Sequence, residues 1–395
     1  MAFVERKLSD ALRAAARAFP AVVLTGPRRS GKTSLLRHLF PNATYHLLED
    51  PDTVARLRAD PQGFLDGLRG PVILDEVQNV PEVFAHVRAR IDRAPRRRGQ
   101  WFLTGSQEAP LMQRVSESMA GRAAVLQLLP LATDESPKVS LLLGGYPEVI
   151  ARPKSARLWF SAYLQTYLER DVRAVLSVRD LSTFRRFLAL LAARHGQILN
   201  KADLAAPLGV SIPTISAWLS VLEITAQILI VPPFYENLGK RLIKSPKIYW
   251  LDSGLACHLL GIESAAELAR SPFRGVLFEG FIAAEIAKRQ VHAGGRRELY
   301  FFRDAKGLEV DFIVPTRQGG LALIECQAAR TVQPAMAAPL IRLADALAAR
   351  SLPASNIITA HLVHEPSPSA LQSEAILPGV RAIPWPRFLD SLPLR

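Results

Sequence analysis

Residues 26–33 of this chain read Gly26-Pro27-Arg28-Arg29-Ser30-Gly31-Lys32-Thr33, and no other stretch restricts the fold as tightly. The apolar run AVVLTG (21–26) leads into it, and SLLRHLF follows with the look of a helix. Strand, glycine-containing turn and helix form the context in which G-x-x-x-x-G-K-[ST] cradles a row of phosphates. Gly26 and Gly31 let backbone N–H groups turn inward, and the helix N-terminus adds partial positive charge. Pro27, Arg28, Arg29 and Ser30 complete the loop, and Ser34 opens the helix behind it. Lys32 is expected to bridge β- and γ-phosphates, and Thr33 to offer its hydroxyl to Mg²⁺. The cofactors expected from this motif are ATP and Mg²⁺.

Some forty residues later PVILDE (71–76) places two acids at the end of a second apolar run. Asp75 is suited to hold Mg²⁺ through water, and Glu76 to polarise an attacking water. A third run, WFLTGS (101–106), ends at Thr104-Gly105-Ser106-Gln107, where Ser106 or Gln107 is expected to sense the γ-phosphate. Gly121-Arg122 lies beyond a further helix. Arg122 reads either as an arginine finger or sensor, in cis or in trans, or as a surface arginine.

The fold class expected is α/β, and three regions separate. Residues 1–135 alternate strand and helix as a P-loop NTPase with a parallel sheet does, with the ligand at the carboxyl ends of the strands. Residues 136–255 are mostly helical, including LWFSAYLQTYLERDVRAVL (158–176). Within them residues 179–255 have the form of a winged helix. ADLAAPL, a Gly209 turn and a helix opened by Ser211 and Pro213 make a helix–turn–helix, and AQILIVPPF and KIYWLD bracket a basic hairpin. Residues 256–395 form a last α/β unit, with a helix over 276–290 and strands over 298–304, 308–315 and 321–327.

A chain of 395 residues is too long for one ordinary core, and 49% hydrophobic with 22% charged residues is a globular composition. No apolar run reaches the roughly 18 residues of a membrane span, so no membrane partner is expected. The amphipathic N-terminus lacks the features of a signal peptide, and Cys257 and Cys326 are far apart in sequence. A cytoplasmic location is expected.

GPRRSGKT, PVILDEVQNVPEVF, FLTGSQ, SESMAGR, LQLLPL, GGYPEV, TYLERDVR, YWLDSGLA and LEVDFIV occur here in order. Together they resemble the bacterial and archaeal AAA-type ATPases that carry a DUF4143 C-terminal region, over nearly the whole chain. The resemblance implies an AAA-like ATPase domain, a winged-helix segment and a C-terminal fold like that of restriction endonucleases. Such nucleases place a helical Glu, a strand Asp and a Glu-x-Lys around Mg²⁺, and the matching positions are Glu279, Asp311 and Glu325-Cys326-Gln327. Gln327 brings no charge, and Lys306 on a turn is a poor substitute. The implied site is thus a degenerate one, suited to binding or assembly.

The net charge of +13 favours polyanions. Lys240, Arg241, Lys244 and Lys247 cluster where a wing would lie, placed for DNA backbone phosphates. The second helix, IPTISAWLSVLEI, has no Lys or Arg, so contact independent of base sequence is the expectation. Three readings remain. The leading one is a homo-oligomeric ATP-driven motor or remodeller acting on nucleic acid. The others are a nucleotide-gated switch that exchanges protein partners, and an ATP-gated metal-dependent nuclease, which Gln327 disfavours.

Overall fold

Alternation along the first strand organises the N-terminal sheet. In β1 (Ala21–Thr25), Ala21 and Val23 enter one apolar cluster, while Val22 and Leu24 enter another on the opposite face. The computed structural model describes residues 3–105, 118–168, 181–234, 245–317, 319–349, 357–366 and 375–394. On one side of β1, α1 (Ser9–Ala18) and α2 (Lys32–Leu39) supply Leu12, Leu35 and Leu36. The other side is covered by Phe84, Val87 and Ile91 of α3 (Val83–Arg93).

Beside β1 lie β2 (Thr44–Leu47), β3 (Val72–Asp75), β4 (Trp101–Thr104) and β5 (Ala123–Gln127). All five are parallel, in the order β2-β3-β4-β1-β5. The three apolar runs of the sequence are the three inner strands. The two edge strands are only partly buried, so their sequences lack the unbroken apolar signal.

In the middle segment the expected helix over 158–176 begins as Ala156–Tyr163 and widens into a π-turn at Leu164–Leu168; residues 169–176 lie outside the described residues. The rings of Phe184 and Phe187, on α4 (Leu181–Ala193), pack against Trp218. A helix–turn–helix follows: α5 (Lys201–Ala205), Gly209 in the left-handed region (φ 65°), and α6 (Ile212–Ile224). Ser211 Oγ caps α6 by accepting the Thr214 N–H at 3.2 Å. A two-stranded antiparallel ribbon of β6 (Ile228–Val231) and β7 (Lys247–Trp250) comes next. Lys240, Arg241 and Lys244 lie outside the described residues. Asp252 caps α7 (Ser253–Leu259) through the Leu255 N–H at 3.0 Å, and its second oxygen accepts the Gly145 N–H at 2.8 Å. That carboxylate ties the GGYP and LDSG segments together, and a side chain at Gly144 would collide with it.

The last region is a mixed sheet built behind one buried helix, α8 (Arg274–His292). Its strands are β8 (Tyr300–Arg303), β9 (Glu309–Pro315), β10 (Leu321–Gln327), β11 (Ile358–His364), β12 (Ala375–Leu377) and β13 (Val380–Pro384). They run in the order β12-β13-β11-β10-β9-β8. The β8, β9 and β10 meander is antiparallel, whereas β10, β11 and β13 pair in parallel. Phe312, Val314, Ala322 and Ile324 face α8, and Ile313, Leu323 and Leu362 face the helix Ala338–Ala348. No single helix among the described residues is long and apolar enough to cross a membrane.

Candidate functional site

Three inner strands deliver the N-terminal site to one edge of the sheet. β1 ends in the 26–33 loop, where Gly26 (φ 139°) and Gly31 (φ 97°) take backbone angles that a side chain opposes. A Cβ on Gly26 would also strike the Leu128 carbonyl. Lys32 is buried and turns back on its own loop, donating to Gly26 O and Pro27 O at 3.0 Å each. Its ammonium is therefore already held inside the curve where phosphates would lie.

Asp75, at the end of β3, gathers three hydroxyls. Thr33 Oγ1 donates to Asp75 Oδ2 at 2.7 Å, Tyr45 Oη donates to the same oxygen at 2.8 Å, and Thr104 Oγ1 donates to Oδ1. Burial first, and then the Asp75 carboxylate beside it, push the Tyr45 hydroxyl well above its ordinary range. Thr104 also accepts the Glu76 N–H at 3.4 Å, so β3 and β4 are stitched together at the site. Glu76 sits in the left-handed region (φ 59°), and its carboxylate accepts from the Gln78 amide. Such strain in a non-glycine residue costs about 1–3 kcal/mol and is concentrated at functional sites. Thr33 and Asp75 are hard oxygen donors on adjoining elements, which fits Mg²⁺.

Sequence reasoning missed Tyr45, Thr104 and Gln78. Thr104 was within reach, since it ends an apolar strand one residue before Gly105. Tyr45 was not, because edge strand β2 carries no motif. Ser106 and Gln107 lie outside the described residues. Arg122 is a correction for the reading in cis. Its carbonyl accepts the Ala21 N–H at 3.2 Å, at the amino end of β1, whereas the loop leaves the carboxyl end. Five strand residues, roughly 16 Å, separate the two edges. There Arg122 makes a two-pronged ion pair with Asp92, at 2.6 and 3.1 Å.

The C-terminal acids also meet. Glu279 of α8 and Asp311 of β9 converge with Glu309 on one buried ammonium. That ammonium belongs to Lys247, whose Nζ lies 2.9 Å from Glu279 Oε1, 2.6 Å from Glu309 Oε1 and 3.7 Å from Asp311 Oδ1. Lys247 is 3% exposed, which corrects its expected role as a DNA backbone contact. The reason is strand alternation: Ile248 and Trp250 point into the helical core, so Lys247 and Tyr249 face α8. Tyr249 Oη donates to Glu279, and the Cys326 N–H donates to Asp311 Oδ2 at 2.8 Å.

Glu325 and Gln327 share a face at the end of β10. The cation the motif lacks at 327 thus arrives from another region of the chain. Among the described residues no three His, Cys, Asp or Glu side chains are disposed to hold a metal ion.

Burial and then Glu279 push Asp311 up to about 8, and burial and then Asp311 push Glu325 up to about 9, against the opposing pull of Lys247. Unfolded, both titrate near 4. The folded chain therefore holds these protons more tightly, and the stability they contribute is full below about pH 4 and lost as pH rises towards 8–9. We expect the thermal midpoint to fall from about pH 6 to about pH 9, with a shallower fall in Asp311→Asn. A variant that kept the full wild-type slope would remove this cluster as its cause.

The fold and the 26–33 loop define the class: an AAA-type P-loop ATPase domain on a parallel sheet, followed by a mixed-sheet C-terminal domain. The AAA domain family matches residues 18–136, the domain of unknown function DUF8612 matches 135–266, and the domain of unknown function DUF4143 matches 274–377. An uncharacterized protein of Mycobacterium tuberculosis, Rv2008c, is 35% identical over 322 residues, covering 79% of this chain and 71% of the relative. An uncharacterized protein of Mycobacterium bovis, Mb2031c, matches to the same extent. The chain belongs to this family of AAA-domain proteins with a DUF4143 C-terminal domain. Among solved structures, a Walker-type ATPase of Pyrococcus abyssi aligns at TM-score 0.43 and 18% identity, covering 65% of this chain and 96% of that one. A RuvB variant of Thermotoga maritima aligns at 0.31 and 17%, covering 58% and 89%.

Proposed function

We propose that this protein binds and hydrolyses ATP with Mg²⁺ at the 26–33 loop, and that it uses the cycle to act on nucleic acid as a homo-oligomer. The observation that carries the hydrolytic reading is the convergence of Thr33, in the first turn of α2, on Asp75, Glu76 and Thr104 at the carboxyl ends of β3 and β4. When bound, the magnesium ion neutralises charge building on the phosphate oxygens. Thr33 and Asp75 are the residues that would hold it. Lys32 exchanges its bonds to Gly26 O and Pro27 O for phosphate oxygens. Glu76, released by Gln78, accepts the proton of the attacking water. Thr104 keeps Asp75 and the Glu76 backbone in register. Arg122, on the far edge, serves a neighbouring subunit's nucleotide in this reading.

Lys32→Ala is expected to weaken ATP binding by about 10-fold to 100-fold, since a charge-assisted contact to phosphate is lost. Titration with a fluorescent ATP analogue measures this, and wild-type affinity in the variant would remove the loop from the site.

The nucleic-acid part rests on the helix–turn–helix with its ribbon, which we read as a winged helix, and on the +13 charge. Its test is ATP turnover with and without single-stranded, duplex and branched DNA, run beside a sizing measurement. Turnover indifferent to all three would favour a switch that exchanges protein partners. Gln327 in place of the motif's lysine, and the lack among the described residues of three acids disposed to hold a metal ion, weigh against a nuclease. We expect no cleavage of plasmid or branched DNA with Mg²⁺ or Mn²⁺, and cleavage abolished by Asp311→Ala would overturn that.

A further inference from the structure

Arg6 lies ahead of the first helix, in no motif, yet its side chain is 4% exposed and spans three anchors. Nη1 donates to Ser30 O at 2.9 Å, Nη2 to Leu129 O at 2.7 Å, and Nε to Glu135 Oε1 at 3.1 Å. Ser30 O belongs to the phosphate loop itself. The Ser30–Gly31 peptide is trans, so its carbonyl and its N–H point in opposite directions. Holding Ser30 O against Arg6 therefore aims the Gly31 N–H away from Arg6, where an anion would accept it.

The same guanidinium is tied to the C-terminal domain. The Glu135 side chain is fully buried and also accepts the Lys7 N–H at 2.8 Å and the Ala132 N–H at 2.9 Å. His292, the last residue of α8, places Nδ1 3.3 Å from Glu135 Oε1, and its Nε2 accepts the Leu129 N–H at 3.2 Å. One turn or two back along α8, Glu285 accepts from the Thr133 N–H and hydroxyl at 2.7 Å each, and Lys288 donates to Leu131 O at 3.1 Å. Residues 129–135 thus form a strap clamped between the phosphate loop and α8. Burial alone would raise the Glu135 carboxyl, but His292 and Arg6 beside it hold it well below the ordinary carboxylate range.

We propose that Arg6 is a positioning residue of the nucleotide site, orienting the Ser30–Gly31 peptide and coupling nucleotide occupancy to α8 through Glu135 and His292. This rests on the ATP reading above and adds a route by which the C-terminal domain feels the nucleotide. Coupling of this kind is reciprocal: if nucleotide orders α8, a break in the link must weaken nucleotide binding.

The full chain is tested by titration with a fluorescent ATP analogue and Mg²⁺, and by amide hydrogen exchange with and without nucleotide. In wild type, nucleotide should slow exchange in residues 26–34 and also in 285–292. Arg6→Lys keeps a positive charge beside Glu135 but cannot reach three acceptors at once. Its affinity should fall by about 10-fold, the loss expected of one charge-assisted contact. Protection should persist at 26–34 at saturating nucleotide and vanish at 285–292, a pattern that simple destabilisation does not give. Glu135→Gln, nearly isosteric, is the second variant should Arg6→Lys fail to fold, and the same split is expected of it. Wild-type affinity in a folded variant, or unchanged exchange at 285–292 when wild type binds nucleotide, overturns the coupling and leaves the ATP reading standing. Failure of wild type to bind nucleotide at all overturns both.

Discussion

Lys247→Ala should cost about 3–5 kcal/mol of folding stability, the loss expected when one partner of a buried ion pair is removed. The ammonium is the counter-charge of Glu279, Glu309 and Asp311, and its side chain is 4% exposed. Without it those carboxylates remain beside Glu325 in a poorly solvated site. Protonation relieves part of the cost, because Asp311 and Glu325 are already pushed up. The measurement is a denaturant midpoint with an unchanged slope. Lys247→Met combined with Glu279→Gln should recover part of the loss, since it removes a charge on each side. A change within about 0.5 kcal/mol, typical of a surface lysine, would mean that the ion pairs contribute nothing.

Glu76→Gln should lower ATP turnover by about 10²-fold or more while ATP stays bound, since a general base contributes roughly 10²–10⁴-fold. Glutamine cannot accept the proton from water. It can still occupy the left-handed backbone position and bond to Gln78, so the loop and the Thr33–Asp75 pair should be undisturbed. Nucleotide affinity and single-turnover rate must be measured together. Loss of both would show a collapsed site, and an unchanged rate would move the base to another side chain.

Legibility followed burial. The three inner strands announce themselves because both faces are covered, and the 26–33 loop because its backbone needs glycine at two points. Edge strands β2 and β5 went unread, and with β2 went Tyr45, whose hydroxyl reaches Asp75 only because β2 pairs beside β3. From sequence Arg122 stayed open between a finger or sensor, in cis or in trans, and a surface arginine, since nothing in a linear motif says at which end of a parallel strand a residue enters.

The sequence by itself determined the phosphate loop, the Asp75-Glu76 pair, the parallel sheet that carries them and the order of the later elements. These depend on local backbone demands and on apolar periodicity, which neighbours in sequence fully express. Only the tertiary structure decided where Lys247 and Arg6 go. Read alone, the first is a wing lysine and the second a basic residue near the N-terminus. One strand's alternation turns Lys247 towards acids 32 to 64 residues away, and the packing of α8 on residues 129–135 buries Arg6 against the phosphate loop. A buried charge must find its partners wherever the fold brings them, and separation along the chain carries no trace of that choice.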